Sequence, residues 1–443
     1  MSLLVLTLAS LSSVWAWQCP EPSGLFPSPE NCSEFYQCSN GQPYRSSCPP
    51  GLQFNQAGYC DWPYNVHCQD TDTTLGSDTT TTARTTAWPS TKTTPPSTLS
   101  TERTTVSSRS DSTTQPTPGT TPHTSDSECR YEAEEPISEV VRESRALTCR
   151  LPATAVEKIY PGREDNPSNV KILEGIITGQ KFKELFPKAN PAYTYENFLK
   201  AVGSFPSVCR SGGDCRRELA NIFAHFQQET LGLYFLEEIN RAEYCAQETA
   251  WVSQSYPCSP GKKYYGRGAK QLSWNYNYGA FSQAMFGDPQ VLLDQPELVA
   301  TTWLNFASAI WFFVTPQPPK PSMLQVVSGD WEPNGADMKG NILPGFGATT
   351  MIINGALECG PSPANTHGSD NRQHHYRLYA EMFGLDITGE KLDCTDMSPF
   401  SAAGSANLAL YWEPGQACSL VTWQTAFSAL VDGNYERCLQ ASL

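Results

Sequence analysis

The 443-residue chain is poor in positive charge: 30 lysines and arginines stand against 45 aspartates and glutamates, and the formal net charge is −15. Such a surface repels phosphate backbones and anionic lipid, which excludes nucleic acid and membranes as partners and leaves a neutral or weakly cationic one. Long hydrophobic runs are missing too. No segment past the N-terminus reaches the 18 or more apolar residues of a membrane span; Trp303 to Val314 is too short, carries Asn305 and Ser308, and reads as a core helix. Histidine is scarce, at six residues without ligand spacing, so neither a metal site nor a cofactor is expected; His374 and His375 fall on different faces of a helix.

Cysteine is absent from the sixty residues between Cys68 and Cys129, although the chain has 16 in all, six before the gap and ten after it. Within the gap, residues 71–127 are more than half Thr and Ser, with recurrent Pro and few aliphatic side chains. That composition cannot bury enough apolar surface to offset chain entropy, so the segment reads as a linker, O-glycosylated in a secreted protein. Residues 1–16 form an apolar stretch ending in Val14-Trp15-Ala16, as a signal peptide does. The expected organisation is a signal peptide at 1–16, a small unit at 17–70, the linker at 71–127, and a large unit at 128–443. Secretion and an extracellular location follow, with the cysteines in disulfides.

The small unit is too short to rest on a hydrophobic core alone. Its cysteines, Cys19, Cys32, Cys38, Cys48, Cys60 and Cys68, with Tyr36-Gln37-Cys38, the run Cys48 to Asn55 and Cys60-Asp61-Trp62-Pro63, resemble the peritrophin-A type of chitin-binding module. The resemblance implies pairs Cys19–Cys38, Cys32–Cys68 and Cys48–Cys60 and a small β-type fold; spacing alone leaves 15 connectivities open. Independently of it, the unit is dense in aromatics that could stack on a pyranose ring, with Tyr44 and Trp62 as the surface candidates and Tyr36 and Phe54 as core. Asn31-Cys32-Ser33 is a glycosylation sequon.

Past Cys129 the pattern turns helical. Phe198, Leu199, Val202 and Phe205 follow i, i+1, i+4, i+7; Leu219, Ile222, Phe223 and Phe226 repeat it, and further helices are expected at 296–314 and 373–383. Few alternating runs occur, so the unit is expected to be mainly α, with disulfides and loops long enough to shape a cleft. Glu229 lies three residues beyond Phe226, at the edge of the buried face near a helix end, where partial desolvation favours the protonated form that a general acid needs.

The stretches Tyr264 to Tyr278 (YYGRGAKQLSWNYNY) and Gly345 to Gly360 (GFGATTMIINGALECG) closely resemble the two signatures of family 19 glycoside hydrolases, the plant-type chitinases. Tyr193 to Phe198 and Gln317 to Pro321 match further segments, and the likeness spans about 175–394. It implies a lysozyme-like, mainly helical fold and hydrolysis of internal β-1,4 bonds between N-acetylglucosamine units of chitin, with inversion. Glu229 matches the family's acid. For the base, Glu238 lies nine residues after Glu229 and seven before Cys245, both in keeping with shorter family members; Glu237, Glu243 and Glu248 compete, Glu248 sharing a Gln-Glu dipeptide with the plant form.

By the same resemblance Ser273 would hold the attacking water, Gln271 and Asn277 would bond sugar groups, Asn354 an acetamido group, and Tyr265 and Lys320 would line subsites. Glu358 and Arg372 would form a charged pair that orients the base and sets its ionisation, and Arg267 a scaffold contact. Cys245–Cys258 and Cys359–Cys394 follow the family, while Cys129–Cys149, Cys209–Cys215 and Cys418–Cys438 are assigned by proximity alone. The sequence departs from the family at Gln228 (usually His), Leu231 (usually Thr or Gly) and Tyr256 (usually Trp). A monomer is expected. Two other readings share these features: a non-hydrolytic chitin-binding protein, and a lysozyme-like peptidoglycan hydrolase. The role of the tail after Asp396 is left open.

Overall fold

The computed structural model describes residues 17–22, 24–39, 41–48, 53–54, 60–61, 136–247, 250–365 and 367–443. The expected signal peptide and linker lie outside these, as do Trp62, Cys68, Cys129 and Glu248.

In the N-terminal unit three antiparallel strands, Gly24–Pro27, Glu34–Ser39 and Gln42–Ser47, form one sheet, and Gln53–Phe54 pairs with Cys60–Asp61. Among the described residues its core cluster is Phe35, Cys48 and Phe54, with Leu25 packed against them and the Phe35 and Phe54 rings stacked at 4.4 Å. So little apolar burial leaves much of the stability to disulfides. Cys19–Cys38 is bonded, and Cys32 and Cys48 are bonded as well; the partners assigned to those two fall on Cys68 and on the Cys60 side chain, outside the described residues. Tyr36 is buried and stacks on Trp17 at 4.0 Å, whereas Tyr44, opposite Gln37 on the last strand, is half-buried.

The large unit is mainly helical, and one helix organises it. Cys215–Thr230 begins at Asp214, whose carboxylate accepts the Arg217 N–H at 3.1 Å, a cap worth about 1 kcal/mol. Leu219, Ile222, Phe223 and Phe226 are buried on it as the period demands, against Phe198 of Tyr195–Gly203 and Phe306 of Leu304–Val314. The latter helix is buried along its whole length, Asn305 and Ser308 included. Its other broad neighbour is Gly368–Phe383, which supplies Tyr379 against Phe223. Disulfides Cys209–Cys215, Cys245–Cys258 and Cys359–Cys394 staple the surrounding loops.

A second, smaller core lies outside this one. Val141 of the Glu139–Thr148 helix packs with Leu410, Trp412, Ala429, Cys418 and Cys438, so the tail folds as a short hairpin, Tyr411–Glu413 with Ser419–Val421, and a helix, Asn434–Ala441, closed by Cys418–Cys438. The tail thereby joins the N-terminal end of the large unit. Cys149 is disulfide-bonded, and the partner assigned to it, Cys129, lies outside the described residues.

Candidate active site

Glu229 sits in the last turn of Cys215–Thr230. The helix stops because Leu231 turns left-handed at φ +53°, followed by Gly232 at +69° and Leu233 at +63°. Thr230, fully buried, locks the stop: its hydroxyl donates to the Phe226 carbonyl at 2.6 Å and accepts the Leu233 N–H at 2.7 Å. The Glu229 carboxylate is thus presented from a fixed helix end, with its side chain 16% exposed.

That burial is answered by a cation. Arg372 of Gly368–Phe383 donates through Nη2 to Glu229 Oε1, and through Nε and Nη2 to Glu358 at 2.7 and 2.9 Å. Glu358 and Arg372 are each 2% exposed, so the pair stands only because each neutralises the other. Asn354 donates to Glu358 Oε1 at 2.6 Å from a residue whose backbone leaves helical geometry at φ −150°, ψ 28°. His225, one turn before Glu229, is fully buried between Thr349 Oγ1 and Arg372 Nη1, each at 3.1 Å, and burial holds its imidazole well below the ordinary histidine range. The Glu358–Arg372 pair therefore bears on the expected acid and not on the expected base, because the Arg372 helix packs directly on the helix that carries Glu229.

Glu238 is held separately. Its Oε1 accepts the Tyr244 hydroxyl at 2.8 Å and its Oε2 the Gly266 N–H at 3.0 Å, while the backbone N–H of Glu238 bonds the Gly266 carbonyl at 2.8 Å. Burial pushes this carboxyl above the ordinary range, and the two hydrogen bonds oppose that rise. Its competitors fare differently. Glu237 is taken up by Arg241 at 2.7 Å, Arg267 at 3.3 Å and the Tyr265 hydroxyl at 3.3 Å. Glu243 is exposed, and Glu248 lies outside the described residues.

The loop from Gly266 to Trp274 and the first turn of the helix Asn275–Phe286 bring Gln271, Ser273 and Asn277 together. Ser273 donates to the Gln271 carbonyl at 2.9 Å, Asn277 to the Ser273 carbonyl at 2.9 Å, and Gln271 to the Gly268 carbonyl at 3.1 Å. Each keeps polar capacity for a ligand. Lys320 donates to the Ile352 carbonyl at 3.1 Å, and burial lowers its amine below the ordinary lysine range. Tyr265 is 8% exposed, with the Arg267 guanidinium 3.7 Å from its ring centre and its hydroxyl directed to Glu237. Arg267 is a scaffold residue, bonded to the Tyr278 hydroxyl at 2.9 Å and the Lys263 carbonyl at 3.0 Å.

Sequence reasoning missed Tyr244 and His225. Tyr244 adjoins Cys245 and could have been sought there; His225 is one helical turn from Glu229. Among the described residues no group of three His, Cys, Asp or Glu is placed to hold a metal ion, and no helix is long and apolar enough to cross a membrane.

A mainly helical, disulfide-stapled unit thus holds two carboxylates in separate frames, beside a loop of amides and hydroxyls. The chain belongs to the class I chitinases, glycoside hydrolase family 19: residues 180–394 match that family, and residues 19–68 match the chitin-binding peritrophin-A domain. An endochitinase of Carica papaya is 42% identical over 252 residues, spanning 52% of this chain and 99% of that protein. A protein of Hevea brasiliensis named inactive chitinase-like protein 1 is 41% identical, over 52% of this chain and 77% of its own length. Among solved structures, chitinase C of Streptomyces griseus matches at 30% identity, covering 49% of this chain and 97% of that one, with a TM-score of 0.41.

Proposed function

We propose that this protein is a secreted, monomeric endochitinase that cuts internal β-1,4 bonds of chitin with inversion, tethered to the insoluble polymer by its N-terminal module through a linker at 71–127. Glu229 donates a proton to the leaving glycosidic oxygen. Arg372 occupies Glu229 Oε1 and leaves Oε2 without a protein partner among the described residues, so Oε2 is the oxygen that carries the proton. Glu238 takes a proton from the attacking water, which Ser273 helps to hold; inversion needs that water between two carboxyl groups about 6.5 to 9.5 Å apart. Gln271, Asn277, Lys320 and Asn354 bind the sugar chain, and Tyr44 with Trp62 form the stacking face of the module.

Overall identity does not separate an active from an inactive relative, since 42% and 41% stand for one of each. The observation that carries the proposal is the pair of carboxylates themselves: one keeps an oxygen free beside a guanidinium, and the other is fixed in orientation by hydrogen bonds on both oxygens. A lysozyme-like action on peptidoglycan would use the same chemistry but leaves the chitin-binding module without a purpose.

The test is hydrolysis of chitin oligosaccharides by single amides. Glu229→Gln and Glu238→Gln should each lose at least about 10²-fold in rate while still binding insoluble chitin, and Glu248→Gln should stay near wild type. Near-normal turnover of Glu229→Gln would remove it from the acid role; a dead Glu248→Gln beside an active Glu238→Gln would move the base.

A further inference from the structure

Two residues beside Glu238 hold a backbone conformation that a side chain adopts only at a cost. Tyr244 has φ +50° and Trp274 φ +75°, both positive, and neither is glycine. Such strain persists where the surroundings over-determine it, and it gathers at functional sites. The two residues also meet: their rings stand at 89° to each other with centroids 5.1 Å apart. Tyr244 is the residue whose hydroxyl donates to Glu238 Oε1 at 2.8 Å, so Trp274 reaches the carboxylate through its partner.

The backbone around both residues is anchored. The Tyr244 carbonyl accepts the Asn275 N–H at 3.2 Å, and the fully buried Asn275 side chain accepts the Ala246 N–H at 2.8 Å and donates to the Ala246 and Tyr256 carbonyls at 2.9 and 2.8 Å. The Trp274 N–H donates to the Tyr264 carbonyl at 2.9 Å, and Cys245 is tied to Cys258. The freedom that remains is rotation of the Tyr244 side chain, and the Trp274 ring, 38% exposed as a residue, lies against it.

We propose that Trp274 is a positioning residue for the base: it holds the Tyr244 ring so that the hydroxyl stays on Glu238 Oε1 and the carboxylate keeps its aim at the attacking water. This rests on Glu238 being the base. With the Gly266 N–H on Oε2 at 3.0 Å and the Tyr244 hydroxyl on Oε1, the carboxylate is held at both oxygens, and each oxygen still has a second acceptor site for a water proton. Loss of the Tyr244 bond frees the carboxylate to turn, and a misplacement of about 1 Å at a reacting group can cost on the order of 10²-fold in rate.

The experiment measures kcat and KM on a soluble chitin oligosaccharide for the full chain carrying Tyr244→Phe, Trp274→Ala, Trp274→Phe, or Tyr244→Phe together with Trp274→Ala. Tyr244→Phe keeps the ring and removes the bond, and should lower kcat about tenfold at unchanged KM. Trp274→Ala should lower kcat by a similar factor, again at unchanged KM, and Trp274→Phe, which returns an aromatic ring to Tyr244, should recover most of the loss. The double variant should lose little more than either single one, because both act on the same hydrogen bond. Losses that multiply in the double variant, a rise in KM with kcat unchanged in Trp274→Ala, or wild-type kcat in either folded single variant would overturn the proposal. Circular dichroism checks each fold, and Trp274→Leu takes the place of Trp274→Ala in the same cycle if the latter does not fold. Failure of the base assignment is read separately: Glu238→Gln would then retain turnover, whatever the cycle gives.

Discussion

Glu218, in the first turn of the Cys215–Thr230 helix, is 2% exposed, and its carboxylate accepts the Cys209 N–H at 2.6 Å. Burial pushes the carboxyl up from 4.5 to about 7 despite that bond. Because the folded state binds this proton more tightly than the unfolded chain, its contribution to stability is full below about 4.5 and is lost as pH rises through about 7. Glu218→Gln, which keeps an acceptor without the charge, should therefore raise stability at pH 8 by on the order of 2 kcal/mol and leave it unchanged near pH 4. Thermal melts at the two pH values check this; an equal shift at both would mean that charge is not the cause. Glu229 and Glu358 share the buried Arg372, whereas Glu218 has a single backbone donor. Burial was readable in the sequence from helical period, but the partner that answers it was not: Arg372 is 143 residues from Glu229, and no local pattern encodes that meeting.

Among the elements, the loop from Gly266 to Trp274 depends most on one residue. Gly268 has φ +74°, and a Cβ there would lie 2.6 Å from the carbonyl oxygen of Asn305, at the start of the buried Leu304–Val314 helix. Left-handed backbone costs a side chain roughly 1–2 kcal/mol, and displacing a packed neighbour about 1–3 more. Gly268→Ala should lower stability by roughly 2–5 kcal/mol and reduce activity by moving Gln271. Chemical denaturation measures the first and turnover the second; wild-type stability would mean the loop is not pinned there. The helices themselves were legible, since Leu219, Ile222, Phe223 and Phe226 repeat with the right period and Leu304–Val314 is apolar but for Asn305 and Ser308. The loop and the helix turn after it were legible only as a resemblance, which named Gln271, Ser273, Asn277 and Tyr265 for the cleft; the stack of Tyr265 under Arg267 depends on side-chain geometry that no motif specifies. The tail was unreadable for a different reason. Its strands, Tyr411–Glu413 and Ser419–Val421, are three residues each, too short for an alternating pattern, and Trp412 is buried by contacts with Val141 far back in the sequence.

The whole molecule joins a chitin-binding peritrophin-A module to a family 19 chitinase unit that holds Glu229 and Glu238 in separate frames. The Arg372–Glu358 pair fixes one carboxyl, Tyr244 and Gly266 fix the other, and the two can serve different roles because their surroundings differ. A single displacement by water inverts the anomeric centre, whereas a covalent intermediate formed by a carboxylate on the anomeric carbon leads to retention. The most direct test is the anomeric configuration of the first products released from a defined chitin oligosaccharide, followed by proton NMR before mutarotation. The account predicts the α-anomer from the β-linked substrate; initial release of the β-anomer would contradict it.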